Sequence, residues 1–327
     1  MADAPDGESP VDITGQPPGP DTHAESALTV AVAFGANLLI AIAKTGAAVV
    51  TASASMLAEA AHSWADTGNE VFLIIAQRRA AKAADADHPF GYGREVYVWS
   101  LFAAIGLFAV GAGVSITHGI SELADPEPAS DFGVAYAVLA VAFVLEAISF
   151  RQATRQARQG AATQHQDLLD HVLATSDPTV RAVFFEDAAA LVGVVVAAAG
   201  IGLHQVTGSP VPDAVGSILV GILLGVVAVV LIDRNRRFLV GQVVDPQVRA
   251  AAVRSLLSFT EVERVTMLRL EFVGARQVYL TGAVDLAGNM TETDTARVLA
   301  SLERRLARSP AVVGATLTLS LPEDPAQ

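Results

Sequence analysis

The sequence contains no cysteine, which excludes disulfide bonds and thiolate metal sites. Charged residues are also scarce: they make up 17% of the 327 residues, against about a quarter in soluble chains. Lys and Arg form no basic face, so we expect no nucleic-acid partner. Residues 1–27 contain neither Lys nor Arg, and their acidic, Pro- and Gly-rich composition predicts a disordered leader rather than a signal peptide.

Long apolar runs dominate the rest of the chain. The mean hydropathy is +0.45, and 52% of the residues are hydrophobic. This composition predicts a multi-pass α-helical membrane protein that lies in a lipid bilayer. Six transmembrane helices are expected, at residues 28–51, 55–78, 95–119, 132–150, 179–203 and 214–233.

The positive charges lie on one side of these six spans. Lys and Arg occur within residues 78–94, 151–181 and 234–237, whereas the other connecting loops contain none. The positive-inside rule therefore predicts that the N- and C-termini are both cytoplasmic. If the source is a prokaryote, we expect the plasma (inner) membrane.

The most informative stretch is residues 59–70 in the second span. His62 and Asp66 are four residues apart and therefore share a helical face, which Asn69 and Glu70 continue. Ionisable groups inside a membrane are costly unless they bind something, and a His–Asp pair suits a divalent cation such as zinc. The alternative is a soluble helix that buries a His–Asp hydrogen bond.

The fifth span carries a second acidic pair, Glu186 and Asp187. At about 1.5 Å of rise per residue, Asp187 and Asp66 both lie about 15–18 Å from the same membrane face. This common depth predicts one shared metal site near the middle of the membrane. The alternative is that Glu186 and Asp187 pair structurally with Lys44 of the first span.

Two connections on the cytoplasmic side carry further polar residues. Asp85 and His88 lie in a turn rich in Pro and Gly, which is either a weak cation site or a structural turn. Residues 151–178 predict an amphipathic cytoplasmic helix, with His165 and His171 on its solvated face rather than bound to metal.

From about residue 242 the composition becomes that of a soluble domain. A helix is expected at residues 246–258, and alternating apolar residues then predict two strands. Thr291 begins a second helix, and a final strand follows. The order αββαβ indicates a small α+β domain. No His or Cys occurs after His204, so this domain has little with which to hold zinc.

Several stretches of the chain match motifs of a known family. They are Ser53–Asp66, His88–Arg94 and Asp187, together with Asp177-Pro178, Phe185–Gly193 and Thr207–Ser217. With these motifs the chain resembles the cation diffusion facilitator family of proton-coupled divalent metal exporters, and the last three stretches resemble its zinc transporter nine branch. The resemblance implies a cation efflux domain at 28–237 with six transmembrane helices, a cytoplasmic ferredoxin-like dimerisation domain at 238–322, a tail at 323–327 and a homodimer.

The resemblance also implies which residues bind the transported ion. His62 and Asp66 match the family's ligand pair in the second span, and Asp187 matches the aspartate of the fifth span. The family's fourth ligand lies four residues before that aspartate, where this chain has Val183. Glu186, Asn69 or water are the candidates to replace it.

The turn between the second and third spans also departs from the family pattern. Tyr92 stands where many relatives have a histidine. We therefore expect the loop site at Asp85 and His88 to be weak or absent.

The expected function is alternating-access antiport of a divalent cation, most simply Zn²⁺, against protons, with no cofactor and no enzymatic activity. Mn²⁺, Fe²⁺ or Co²⁺ are alternative substrates if oxygen ligands complete the site. A second possibility is a degenerate family member that acts as a non-transporting membrane scaffold or regulator. A membrane hydrolase that uses His62 and Asp66 is disfavoured, because the sequence has neither a nucleophile elbow nor a His-Glu-x-x-His helix.

Overall fold

A computed structural model describes residues 27–126, 130–163, 166–321 and 323–326. The expected leader, apart from residue 27, and His165 lie outside these ranges. The chain divides into two compact units. The helical unit contains α1 (Ala27–Thr51), α2 (Ala54–Ala80), α3 (Glu95–Gly106), a π-helical segment (Leu107–Ala112), α4 (Gly113–Ala124), α5 (Phe132–Thr163), α6 (Leu168–Ala174), α7 (Pro178–Thr207) and α8 (Val211–Leu239).

Within the described residues, five helical segments are long and apolar enough to cross a membrane. These segments are Phe34–Thr51, Glu95–Ala124, Phe132–Ala162, Pro178–Thr207 and Val211–Leu239. At 27 residues, α2 is long enough to cross a membrane, but it is less apolar because it carries the polar residues of the 59–70 stretch. The multi-pass helical fold is confirmed, and the sixth span stays a prediction.

The start of α2 is fixed by α8. The backbone N–H groups of Ala54 and Ser55 donate to the carboxylate of Asp213 at 2.9 and 3.3 Å. The Ser55 hydroxyl also donates to the backbone carbonyl of Asp213. Gly216 permits this approach, because a Cβ there would lie 2.6 Å from Ser55 Oγ. Asp213 therefore caps α2 from another helix and fixes where the polar face of α2 begins.

The start of α7 follows the predicted pattern of an acidic cap and a proline. The Asp177 carboxylate accepts from the backbone N–H of Thr179 at 3.0 Å, and Pro178 occupies the first turn. Close by, the buried Arg181 guanidinium donates to the Thr175 carbonyl and to Asn235 of α8, both at 2.9 Å. These contacts fix the helix that carries Glu186 and Asp187.

The connection at 151–178 differs from the single amphipathic helix that was predicted. Helix α5 continues through Thr163, and the short α6 follows. His171 is buried rather than solvated. Its ring lies against Gly160 of α5, and this close contact is possible because glycine has no side chain.

The second unit contains α9 (Pro246–Leu257), β1 (Val262–Gly274), β2 (Gln277–Leu286), α10 (Glu292–Leu306) and β3 (Val312–Leu319). The predicted αββαβ order is confirmed. In the sheet order β1-β2-β3, β1 pairs with β2 antiparallel and β2 with β3 parallel. Leu256 of α9 and Leu302 of α10 pack with Leu268, Leu280 and Leu317 of the sheet in one apolar core.

Residues 80–94, which connect α2 to α3, belong to this second unit. The Phe90 ring meets the Tyr279 ring edge-on at 4.8 Å, and Arg94 forms an ion pair with Glu271. Gly93 permits the close approach to the β1–β2 turn, because a Cβ there would lie 2.8 Å from Gln277 Oε1. The sequence does not predict this association, since the contacting residues are about 180 positions apart along the chain.

Candidate functional site

His62 and Asp66 lie together on the inward face of α2, as predicted. His62 Nε2 is 3.5 Å from Asp66 Oδ2, and the His62 side chain is fully buried. Among the described residues, neither ring nitrogen of His62 has a hydrogen-bond partner, and the same holds for Asp66 Oδ1. Buried polar atoms of this kind cost about 1–3 kcal/mol each when nothing satisfies them. The pair therefore offers nitrogen and oxygen atoms that are chemically able to bind a cation.

Asp187 lies on α7 and is oriented by α5. The Ser149 hydroxyl donates to Asp187 Oδ2 at 2.7 Å, which leaves Oδ1 free of that bond. Asp187 also interacts electrostatically with Asp66. Helices α2 and α7 thus bring acidic side chains towards one region, and α5 contributes Ser149 to it.

Asn69 and Glu186, the two candidates for the missing ligand, bind each other. Asn69 Nδ2 donates to Glu186 Oε2 at 2.5 Å, and both side chains are buried. Asn69 Oδ1 and Glu186 Oε1 have no hydrogen-bond partner in the part of the chain that the structure describes. Each residue therefore retains one oxygen that is able to bind a cation.

These residues do not form a finished coordination shell. Across residues 27–126, 130–163, 166–321 and 323–326, no three His, Asp or Glu side chains are close enough together to hold a metal ion. His62 and Asp66 are adjacent, and Asn69 is adjacent to Glu186, but these two pairs and Asp187 remain separate. A single ion bound by all of them would require side-chain or helix movement.

The alternative role for Glu186 and Asp187 was a structural ion pair with Lys44, but Lys44 pairs with other residues. Its ammonium lies 2.9 Å from Glu59 and 4.0 Å from Glu146, and it is fully buried. That alternative is wrong, because Glu59 and Glu146 are the carboxylates that neutralise Lys44. Lys44 therefore does not neutralise the carboxylates of Glu186 and Asp187.

The sequence prediction omitted two residues of this region, Glu146 and Ser149 of α5. A signal for Glu146 was available, since it is the single charged residue between Phe132 and Phe150. Ser149 offers no comparable signal, because serine is common in membrane helices.

In the loop, Asp85 and His88 lie together, with Asp85 Oδ1 3.4 Å from His88 Nδ1. The Asp85 carboxylate already accepts two hydrogen bonds, one from the Tyr92 hydroxyl at 2.7 Å and one from the backbone N–H of His88 at 2.8 Å. These bonds keep the pKa of the Asp85 carboxyl below its usual value. The His88 ring stacks on Tyr92, and the contacts favour a structural turn.

Residues 30–240 match the cation efflux transmembrane domain, which is about two thirds of the chain. The chain belongs to the cation diffusion facilitator family. The resemblance inferred from the motifs is thereby confirmed, and the chain is a member of a family of cation efflux transporters.

Individual relatives place this cation diffusion facilitator near zinc transporter nine. It is 34% identical over 270 residues to metal tolerance protein C4 of Arabidopsis thaliana, covering 83% of this chain and 59% of that protein. It is 33% identical over 261 residues to the human mitochondrial proton-coupled zinc antiporter SLC30A9, and this match covers 80% of this chain and 46% of that protein. The chain thus spans about half the length of these relatives. Magnetosome protein MamM of Magnetospirillum gryphiswaldense is 28% identical over 94 residues.

Proposed function

We propose that this protein exchanges a divalent cation, most simply Zn²⁺, for protons across a membrane by alternating access. The observation that carries the proposal is the buried His62–Asp66 pair, whose ring nitrogens and free carboxylate oxygen are left for an ion. The similarity to the human proton-coupled zinc antiporter SLC30A9 supports zinc as the substrate and protons as the exchanged ion.

The substrate ion binds to His62, Asp66 and Asp187 when these residues converge. An imidazole nitrogen with carboxylate oxygens is a ligand set that zinc accepts readily. Completion of the shell by Asn69 or Glu186 would add oxygen and move the preference towards manganese, iron or cobalt. Protons compete for the same lone pairs, so binding of the metal releases protons and protonation expels the metal.

The protein acts as a homodimer with both termini in the cytoplasm. Helix α2 crosses the membrane as well as the five apolar segments, which gives six spans in all. The charge asymmetry of the loops supports this orientation. In a prokaryote the membrane is the plasma (inner) membrane.

The test is uptake of Zn²⁺, Mn²⁺, Fe²⁺ and Co²⁺ into proteoliposomes under an imposed pH gradient. His62→Ala and Asp66→Ala should each abolish uptake, because each removes a metal ligand, while His88→Ala in the loop is the matched control and should transport normally. Wild-type uptake by His62→Ala and Asp66→Ala would refute the site. A folded wild-type protein that transports none of the four ions would instead identify a non-transporting scaffold or regulator.

A further inference from the structure

Glu146 lies on the face of α5 that meets the transport site. It precedes Ser149 by three residues, and residues three apart share a helical face. Because the Ser149 hydroxyl bonds to Asp187, that face of α5 is directed towards Asp187 of α7. Position alone therefore puts Glu146 beside a residue that is expected to bind the ion.

The charge of Glu146 acts on the same site. Its side chain is 15% exposed, and its carboxylate interacts electrostatically with Asp187 and with Asp66. Three carboxylates from α2, α5 and α7 thus act on one another in one region, and Lys44 is the cation that faces them among the described residues. Such an arrangement repels itself unless a positive charge is added.

Lys44 partly offsets this repulsion from one side. It donates a hydrogen bond to Glu59 Oε2 at 2.9 Å, whereas its contact with Glu146 Oε1 is 4.0 Å long. Lys44 therefore keeps its closer partner if Glu146 moves away. At equal distance, a doubly charged ion attracts a carboxylate about twice as strongly as one ammonium does, since the attraction scales with charge.

We propose that Glu146 is a further ligand of the transported divalent cation, and that it supplies the oxygen that Val183 cannot. Without the ion, Glu146 rests against Lys44; with the ion, it turns to the metal while Glu59 keeps Lys44 neutralised. Glu186, by contrast, is bonded to Asn69 through Oε2 at 2.5 Å, so it would bind an ion through Oε1 or would have to leave Asn69. This inference rests on the proposed transport function and adds a residue from a third helix to it.

The test is equilibrium binding of Zn²⁺ and of Mn²⁺ to the purified full chain in detergent, measured by calorimetry. Glu146→Gln should weaken Zn²⁺ binding by about tenfold or more, the loss expected when an interaction at a metal site is removed. Glu95→Gln is the matched control, because it removes another carboxylate of the helical unit, one that accepts a hydrogen bond from Trp99 of α3, and it should bind with wild-type affinity. If glutamine lowers the yield of folded protein, Glu146→Asp keeps the charge beside Lys44, and it should still bind more weakly because its carboxylate is shorter by one methylene.

Wild-type affinity in the folded Glu146 variants would overturn the inference. Equal weakening by Glu146→Gln and Glu95→Gln would overturn it too, because loss of a carboxylate elsewhere in the helical unit would then have the same effect. Uptake by the same preparations in proteoliposomes separates the two proposals. If the wild type transports divalent cations and Glu146→Gln matches it in binding and uptake, this inference alone fails; if the wild type neither binds nor transports them, the proposed function fails with it.

Discussion

At the scale of single residues, His62 and Asp66 could be predicted as a pair because both lie on one helix. Four-residue spacing decides which side chains meet, and the sequence shows that spacing directly. The partners of Asn69 and Lys44 depend on contacts between helices, and the sequence does not show these. Lys44 is the clearest case: its actual partners, Glu59 and Glu146, are 15 and 102 positions away.

Val183 occupies the position at which the family resemblance implies a fourth ligand. It lies four residues before Asp187 on α7 and is partly buried. Val183→His should shift selectivity towards zinc over manganese, because it adds a nitrogen ligand on the face of Asp187. The measurement is the ratio of initial Zn²⁺ and Mn²⁺ uptake rates in proteoliposomes. Val206→His, at an 85% exposed position near the end of α7, is the control and should leave the ratio unchanged. An unchanged ratio in Val183→His would mean that this position does not face the ion.

At the scale of helices and strands, prediction succeeded where hydrophobic periodicity is strong. The apolar spans and the alternating strands near Leu268 and Leu280 fall where expected. Periodicity did not show that α5 runs on to Thr163, because its polar last turns resemble a separate amphipathic helix. Nor did it show the cap of α2, whose acceptor Asp213 is about 160 positions away.

Asp213 should contribute to stability by capping α2. Asp213→Ala leaves the N–H groups of Ala54 and Ser55 without their acceptor and should cost about 1–2 kcal/mol, as the loss of a helix cap does. Thermal unfolding in detergent, followed by the fluorescence of Trp64 and Trp99, measures the effect. Asp213→Asn keeps an acceptor oxygen and should lose less. Equal melting temperatures for wild type and Asp213→Ala would show that the cap adds nothing.

At the scale of the whole molecule, the chain combines a membrane unit and a small sheet unit, and the second includes residues 80–94. The two folds were predictable from composition, since apolar spans and alternating strands differ sharply. The assignment of residues 80–94 was not, because Phe90 and Arg94 contact sheet residues that lie about 180 positions away along the chain.

Residues 238–327 should fold by themselves, because the apolar core of the sheet unit lies entirely between Val244 and Leu317. We expect an α+β circular dichroism spectrum and a dimeric mass for this fragment. Calorimetry should detect no tight zinc, since the fragment contains neither His nor Cys. An unfolded fragment, or one that binds zinc stoichiometrically, would contradict this expectation.

The central claim is that a divalent cation bound at His62 and Asp66 exchanges for protons. The most direct measurement is the internal pH of proteoliposomes, followed with an entrapped dye, when Zn²⁺ is added outside. Antiport predicts that the interior becomes alkaline as zinc enters and protons leave, and that His62→Ala shows neither zinc entry nor a pH change. Zinc entry without a pH change, or an alkaline shift of wild-type size in His62→Ala, would contradict the account.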